Sequence, residues 1–258
     1  MKLLSFNHYW RICAAGISYI LFGLGAFLPG VYIFCLAIIP MDKNTKQLKV
    51  RHSIKVLCRF YVDTMQFLGL MNYVVEGPIP KKLHGHMVIS NHSMLIDALF
   101  ALAYIDNLCC VAKSALLKNP FTRIPIKLAG YVSNDDPNLI ETVGKKLSNG
   151  ENILIFPEGT RNTSDLQLDF KRGAANMAVI NNSPLLPITL CCMPRALSKE
   201  DKWYQLPDVK SKIVMRFDDP IQIKDFINAD SPRTLQYRQL TAALRDYYAK
   251  AISSVIGL

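Results

Sequence analysis

The sequence predicts a mixed α/β sheet flanked by helices, preceded by an N-terminal apolar membrane helix or helical hairpin. From residue 73 onward, short apolar runs typical of strands alternate with helical segments, which is the pattern of a layered α/β domain. Before that point, residues 12–39 are almost purely apolar. We therefore divide the chain into membrane-anchoring helices at 1–71 and an α/β domain at 72–258.

The apolar stretch at 12–39 is longer than the roughly 20 residues that cross a bilayer. Pro29-Gly30 interrupts it, so one tilted helix and a hairpin dipping into one leaflet are both open. More basic residues follow the stretch than precede it. By the positive-inside tendency, we expect a protein of the inner (plasma) membrane with its α/β domain on the cytoplasmic side.

Residues 50–70 continue the apolar pattern and carry Arg51, Lys55 and Arg59 at four-residue intervals. A basic stripe beside an apolar face is typical of a helix that lies among anionic headgroups. The same pattern fits a helix packed on its own domain with a solvated charged face, and both interpretations stay open.

The α/β domain divides into recognisable elements because turn residues separate its apolar runs. We predict strands at 73–76, 87–89, 108–112, 152–156, 186–192 and 212–217. We predict helices at 95–104, 114–128 with a break, 138–147, 173–180 and 232–255.

The charge balance points to an acidic partner, because the formal net charge is +10 and the sequence pI is about 9.2. An anionic membrane surface, a phosphate-bearing substrate and an acidic carrier protein all fit. Nucleic acid does not, since no basic helix is interleaved with aromatic residues and no zinc-finger spacing occurs.

The seven cysteines show no spacing suited to a metal. Four of them form the adjacent pairs Cys109-Cys110 and Cys191-Cys192 inside apolar runs, and Cys13 and Cys35 lie in the apolar N-terminus. We expect reduced, buried thiols. Asp135-Asp136 has no recognisable third ligand, so we predict no metal site.

His92 and Asp97 are candidate catalytic residues in a turn after the strand at 87–89. A histidine accepts a proton near neutral pH, and a carboxylate on its other nitrogen fixes the tautomer. Residues five apart do not share a helix face, so the two can meet only if His92 lies before the first helical turn. Alternatively, Asn91 or Ser93 caps the helix and His92 is an ordinary half-buried turn residue.

A second turn, Pro157-Glu158-Gly159-Thr160-Arg161, follows the strand at 152–156. Its backbone N–H groups, its glycine and the guanidinium fork of Arg161 suit phosphate oxygens. A plain turn with a solvated arginine is the alternative.

The two strings together, His-x4-Asp and Phe-Pro-Glu-Gly-Thr-Arg, resemble the glycerolipid (1-acylglycerol-3-phosphate or lysophospholipid) acyltransferase family. The similarity covers residues 73–217. It implies transfer of a fatty acyl group from acyl carrier protein or coenzyme A, the co-substrate, to the hydroxyl of a lysophospholipid such as lysophosphatidic acid. No cofactor is implied.

The resemblance also implies roles for individual residues. His92 would be the general base, and Asp97 would orient it. Glu158, Gly159, Thr160 and Arg161 would help to bind the acceptor. The resemblance adds Lys113 and Lys171 as further cationic candidates.

One residue departs from the family pattern. Asn134 stands where the family usually has an arginine that holds the acceptor's phosphate, and an amide carries no charge. A lysolipid without glycerol phosphate, or a specialised lipid anchor, is therefore an alternative acceptor. A non-catalytic module that binds membrane lipid or acyl carrier protein is the alternative from another class.

Overall fold

The computed structural model describes residues 6–161, 168–198 and 201–257, and its centre is a seven-stranded sheet with the order β1-β7-β6-β2-β5-β3-β4. The strands are β1 (Met71–Glu76), β2 (Met87–Ser90), β3 (Leu108–Ala112), β4 (Val132–Ser133), β5 (Asn152–Ile155), β6 (Leu185–Met193) and β7 (Ser211–Phe217). The helices are α1 (Phe6–Ile38), α2 (Lys43–Phe67), α3 (Asp97–Tyr104), α4 (Ser114–Lys118), α5 (Pro120–Leu128), α6 (Leu139–Ser148), α7 (Arg172–Asn181) and α8 (Arg233–Ile256), with a 3₁₀ turn at Ile223–Asp225.

The sheet is mixed, as predicted. β6 and β7 pair antiparallel, whereas the other neighbouring strands pair parallel. β2 and β5 are buried along their whole length, which explains why they read as unbroken apolar runs. All of the predicted strands occur. The structure adds the strand β4, which was not predicted because two residues are too few to show a strand pattern.

Helices cover both faces of the sheet, and the two larger of three apolar cores among the described residues lie between these helices and the strands. Successive side chains of a strand point to opposite faces, so Val88 joins one core while Met87 and Ile89 join the other. The first core also contains residues of α1, α2 and α3. The second core contains residues of α6, α7 and α8.

Arg51 fixes α2 to the sheet domain. Its side chain is buried, and its Nη2 lies 2.6 Å from the Glu151 carboxylate. Its Nε donates to the Ala129 carbonyl at 2.8 Å, and its Nη1 donates to Asn107 Oδ1 at 2.7 Å. Pairing of this kind offsets the cost of burying a guanidinium.

The predicted basic stripe pairs with acidic side chains of the same chain, at a buried position for Arg51 and at the surface for Lys55 and Arg59. Lys55 pairs with Asp106 at 2.7 Å, and Arg59 pairs with Asp63 at 3.0 Å. The structure favours the packed interpretation of α2, since all three bases contact acidic side chains of the same chain. The division at residue 71 stays a prediction, and α2 packs closely on α3.

The N-terminal segment is one helix, so the hairpin broken at Pro29-Gly30 is wrong. None of the helices in the described ranges combines the length and the apolar character needed to cross a bilayer. The predicted spanning helix is therefore not supported.

The prediction of buried cysteines is wrong at Cys13 and Cys35, which are exposed. An α-helix that packs through one face leaves residues on its other face uncovered, whatever their polarity. The other five cysteines are free and buried, as predicted.

Candidate active site

The candidate residues gather at one edge of the sheet. β6, β2, β5, β3 and β4 run parallel, so their carboxyl ends meet at the same edge, which is where α/β proteins bind ligands. In the order of the strands, this edge carries Leu197 after β6, His92 after β2, Glu158 to Arg161 after β5, Lys113 after β3 and Asn134 after β4.

His92 and Asp97 meet directly. His92 lies in the turn between β2 and α3, and α3 begins at Asp97. The distance from His92 Nδ1 to Asp97 Oδ2 is 2.9 Å. The Asp97 side chain is fully buried, whereas that of His92 is 20% exposed. With Nδ1 donating to the carboxylate, Nε2 is left as the basic nitrogen of a reachable ring.

The carboxylate of Asp97 also holds the turn. Its Oδ2 accepts the Met94 backbone N–H at 2.7 Å, while its Oδ1 has no hydrogen-bond partner among the described residues. Burial raises the pKa of Asp97, and the hydrogen bonds from His92 and Met94 oppose the rise.

Asn91 positions the turn, and the sequence reasoning assigned it differently. The alternative in which Asn91 or Ser93 caps α3 is wrong, because the residue that caps α3 is Ile96 and it makes no side-chain bond. Asn91 instead donates to the Leu190 carbonyl at 2.7 Å and accepts the Leu190 N–H at 2.8 Å. This amide continues the pairing of β2 with β6 beyond the strand end, which a local pattern cannot reveal.

The second turn contacts His92 at two points. The Phe156 ring stacks on the imidazole, with centroids 4.3 Å apart and planes inclined by 26°. The Glu158 carboxylate accepts the His92 backbone N–H at 2.9 Å. Glu158 therefore holds the backbone of the catalytic turn, and its role in binding the acceptor stays a prediction. The sequence pattern gives no role to Phe156 beyond the end of the predicted strand at 152–156, and its contact with the imidazole appears only in the fold.

Arg161 hydrogen-bonds the chain segment after β6. Its Nη1 donates to the carbonyls of Leu197 at 3.2 Å and Ser198 at 2.8 Å. The same Leu197 carbonyl accepts the Leu95 N–H at 3.0 Å, so Arg161 is linked to the catalytic turn through one shared acceptor. A phosphate role for Arg161 stays a prediction.

The other predicted binding residues are exposed at the same edge. Gly159 has φ +69°, which favours glycine, and Thr160 follows it at the surface. The Lys171 N–H donates to the Pro157 carbonyl at 2.7 Å, and its ammonium lies 2.5 Å from Asp169.

Asn134 has a structural contact that explains its place. Its Oδ1 accepts the Ser114 N–H at 3.0 Å, at the start of α4 and directly after the exposed Lys113. The amide therefore holds the segment that carries Lys113 beside the end of β4.

A cavity of about 250 Å³ lies behind the catalytic turn. Met94, Leu95, Ile96 and Leu99 form one wall, and these residues belong to the turn and to α3. The opposite walls come from α1, α2 and the chain around β7. The lining is almost wholly apolar, which suits a hydrocarbon chain.

Comparisons with known proteins agree with this arrangement. Residues 73–191 match the family model described as Acyltransferase. The 1-acyl-sn-glycerol-3-phosphate acyltransferase alpha of Mus musculus is 26% identical over 210 residues, 76% of this chain and 70% of that protein. The 1-acyl-sn-glycerol-3-phosphate acyltransferase of Pseudomonas aeruginosa is 29% identical over 182 residues, 67% of this chain and 68% of that protein.

A solved structure shares the fold. The crystal structure of the 1-acyl-sn-glycerophosphate acyltransferase of Thermotoga maritima superposes with a TM-score of 0.69 at 20% identity. The match covers 94% of this chain and 98% of that one. The mixed sheet with its flanking helices is therefore a known architecture.

Proposed function

We propose that this chain, whose residues 73–191 match the family model described as Acyltransferase, moves a fatty acyl group from a thioester to the free hydroxyl of lysophosphatidic acid. The observation that carries this proposal is the 2.9 Å contact between His92 Nδ1 and the buried Asp97 carboxylate. Such a pair provides a general base without needing a nucleophile on the protein.

In the proposed reaction, His92 Nε2 takes the proton of the acceptor hydroxyl while the oxygen attacks the thioester carbonyl. The new ester C–O bond forms, the C–S bond breaks, and the imidazolium returns the proton to the leaving thiolate. Asp97 stabilises the imidazolium by charge and by its hydrogen bond. A positioned base of this kind accelerates transfer by about 10²–10⁴.

The cations at the carboxyl edge support an acceptor with a phosphate. Lys113 follows β3, Arg161 follows β5, and Lys171 is joined to the turn after β5 by its N–H bond to the Pro157 carbonyl. The relatives are named as 1-acyl-sn-glycerol-3-phosphate acyltransferases. We assign the phosphate to Arg161 and Lys171, whose backbones flank the turn contacting His92.

A second acceptor class is supported by Asn134. This amide is engaged with the Ser114 N–H and carries no charge, so the edge has one cation fewer than the family pattern. A lysolipid without glycerol phosphate would then be the better substrate.

The acyl chain fits the cavity behind the turn. Its wall includes Ile96 and Ala98, which flank Asp97 at the start of α3, so we place the thioester end of the chain towards His92. The donor is a thioester of coenzyme A or of acyl carrier protein, and the net charge of +10 suits either acidic partner.

We further propose that the enzyme sits on a membrane surface through α1 and the end of α2. Trp10 is 47% exposed, Phe60 63% and Phe67 89%, and Trp10 Nε1 donates to the Leu68 carbonyl at 3.3 Å, which brings the two helices together there. Exposed aromatic side chains of this kind suit the membrane interface.

Vesicle sedimentation tests the surface. Phe60→Glu with Phe67→Glu should abolish binding to phosphatidylglycerol vesicles, whereas Leu235→Glu on the exposed side of α8 should not. If both variants bind the vesicles equally well, Phe60 and Phe67 do not form the membrane-binding surface.

The acceptor experiment pairs two donors with three acceptors. Purified enzyme is given acyl-coenzyme A or acyl carrier protein thioester together with lysophosphatidic acid, lysophosphatidylcholine or monoacylglycerol. We expect diacyl product chiefly from lysophosphatidic acid. A preference for an acceptor without glycerol phosphate would favour the second class, and product from no pair would refute acyl transfer.

A further inference from the structure

Arg11 is a buried cation in the wall of the apolar cavity. Its residue exposure is 2%, although it belongs to the first turns of α1. Its Nη1 donates to the carbonyls of Pro207 at 2.9 Å and Asp208 at 3.3 Å, in the loop before β7. These bonds use one of its three nitrogens and fix the direction of the guanidinium.

The other two nitrogens of Arg11 have no acceptor. Nε and Nη2 are buried and lack a hydrogen-bond partner among the residues that the structure describes. They lie on one edge of the planar group, which is the fork that pairs with both oxygens of a carboxylate. Leaving such donors unpaired away from water is costly, so the site favours an oxygen pair.

The rest of the lining offers Arg11 no partner of that kind. Ser18 and Tyr61 line the cavity and hydrogen-bond each other at 3.0 Å. Ser211 donates to the Pro194 carbonyl at 2.9 Å. Asp208 presents its backbone carbonyl, and its residue is exposed at the surface. Burial lowers the pKa of Arg11, and the charge of Asp208 opposes this effect.

The shape of the cavity indicates that the anionic ligand also carries a hydrocarbon chain. Arg11, Ala15, Tyr19 and Phe22 line it from one side of α1. Arg11 and Phe22 are eleven residues apart, which is about 16 Å along a helix. Apolar walls of this length with a buried fork at one end match a hydrocarbon chain with a terminal carboxylate.

We propose that this cavity binds a free long-chain carboxylate, with its two oxygens on Arg11 Nε and Nη2 and its chain along α1 towards Phe22. The bound fatty acid occupies the space next to the catalytic turn. The proposed function places the acyl chain of the thioester donor in the same cavity. On that basis, the fatty acid inhibits transfer in competition with the acyl donor.

Calorimetric titration at pH 8 tests the binding with dodecanoate and dodecanol, which differ only at the head. The wild-type protein should bind the carboxylate at least about tenfold more tightly than the alcohol. Equal affinities in the wild type would overturn the proposal, and this arm needs no variant.

Arg11→Met removes the charge and keeps an apolar side chain of similar length. It should retain the affinity for dodecanol and lose the preference for dodecanoate, while Arg123→Met, an exposed change of equal charge on α5, should retain both. A preference that survives in Arg11→Met would overturn the assignment to Arg11. Arg11→Lys, which keeps the charge without the fork, should keep only part of the preference.

The binding result is independent of turnover. If no lysolipid is acylated but dodecanoate binds through Arg11, the proposed function fails and this inference stands. If transfer proceeds and dodecanoate neither binds nor inhibits, this inference alone fails.

Discussion

The two faces of the sheet differ in how completely they are packed. On the face covered by α6, α7 and α8, large side chains fill the space against the strands, and Tyr248 is fully buried with its hydroxyl donating to the Ile89 carbonyl at 2.6 Å. The hollow on this side lies between α6 and α7, and its lining residues are mostly exposed or half-buried. On the face covered by α1, α2 and α3, a cavity of about 250 Å³ lies beside the core. We call these the closed face and the open face.

The difference assigns separate tasks to the faces. From the closed face, Tyr248 bonds β2 through Ile89 and accepts the Ile188 N–H of β6 at 3.3 Å. These two strands carry the turn with His92, so the closed face fixes the backbone of the site. The open face leaves room for a chain. A rigid support behind an accessible pair is what positioned base catalysis needs.

The largest expected effect is on the catalytic turn between the faces. His92→Ala should lower the turnover number by about 10²–10⁴, because the base is lost. The thermal unfolding midpoint should stay close to that of the wild type, since the ring is partly exposed. His52→Ala, at an exposed position of α2, is the matched control and should be fully active. Normal turnover of His92→Ala would exclude the proposed base.

The next effect concerns the closed face. Leu244→Ala on α8 should reduce the free energy of unfolding by about 2–5 kcal/mol, because the side chain is fully packed and leaves a cavity. Chain-length preference should not change. Leu235→Ala, on the same helix but 44% exposed, is the control and should cost far less. Urea denaturation measures both, and equal losses would contradict the packed state of this face.

On the open face, we expect added volume to change selectivity. Ala98→Leu projects into the cavity and should lower transfer of long acyl chains relative to short ones by about tenfold, a difference of about 1.4 kcal/mol. Ala178→Leu, fully buried on α7, should instead lose about 1–3 kcal/mol of stability through overpacking and keep the wild-type preference. If Ala98→Leu has the same chain-length profile as the wild type, the acyl chain of the substrate does not bind in this cavity.

The smallest effect is a change of stability with pH. Because burial raises the pKa of Asp97 above its ordinary value of 3.8, the folded protein holds this proton more readily than the unfolded chain. The free energy of unfolding therefore falls as pH rises from 3.8 through the higher folded pKa. Asp97→Asn has no carboxyl group to titrate at this position. Its free energy of unfolding, relative to that of the wild type, should therefore increase as the pH rises over the same range. Denaturation curves at several pH values check the sign, and the opposite trend would mean that the buried pair lowers the pKa.

The sequence was sufficient for features set by local pattern. The parallel strands β2 and β5 are apolar runs because both faces are covered. The break at Asn119-Pro120 divides α4 from α5, as proline at that position requires. Two residues five positions apart do not share a face of a helix, so His92 and Asp97 could meet only if His92 lay before the helix. In the structure, His92 lies in the turn between β2 and α3 and contacts Asp97 there.

Other features depend on distant contacts that no local pattern contains. Asn91 bonds Leu190, 99 residues away, and the cavity is lined by residues of α1, α2, α3 and the sheet, which are far apart in the sequence. Arg51 looked like a headgroup ligand but is buried against Glu151. Arg11 directly precedes the apolar stretch at 12–39, and its Nη1 bonds the Pro207 carbonyl in a loop 196 residues away. Each of these requires the assembled fold.

A crystal structure with a non-hydrolysable acyl thioether analogue and lysophosphatidic acid tests the central claim most directly. Our account predicts a hydrocarbon chain in the cavity of the open face, with the acceptor hydroxyl within hydrogen-bond reach of His92 Nε2. A chain bound on the closed face, or a hydroxyl placed away from the imidazole, would contradict it.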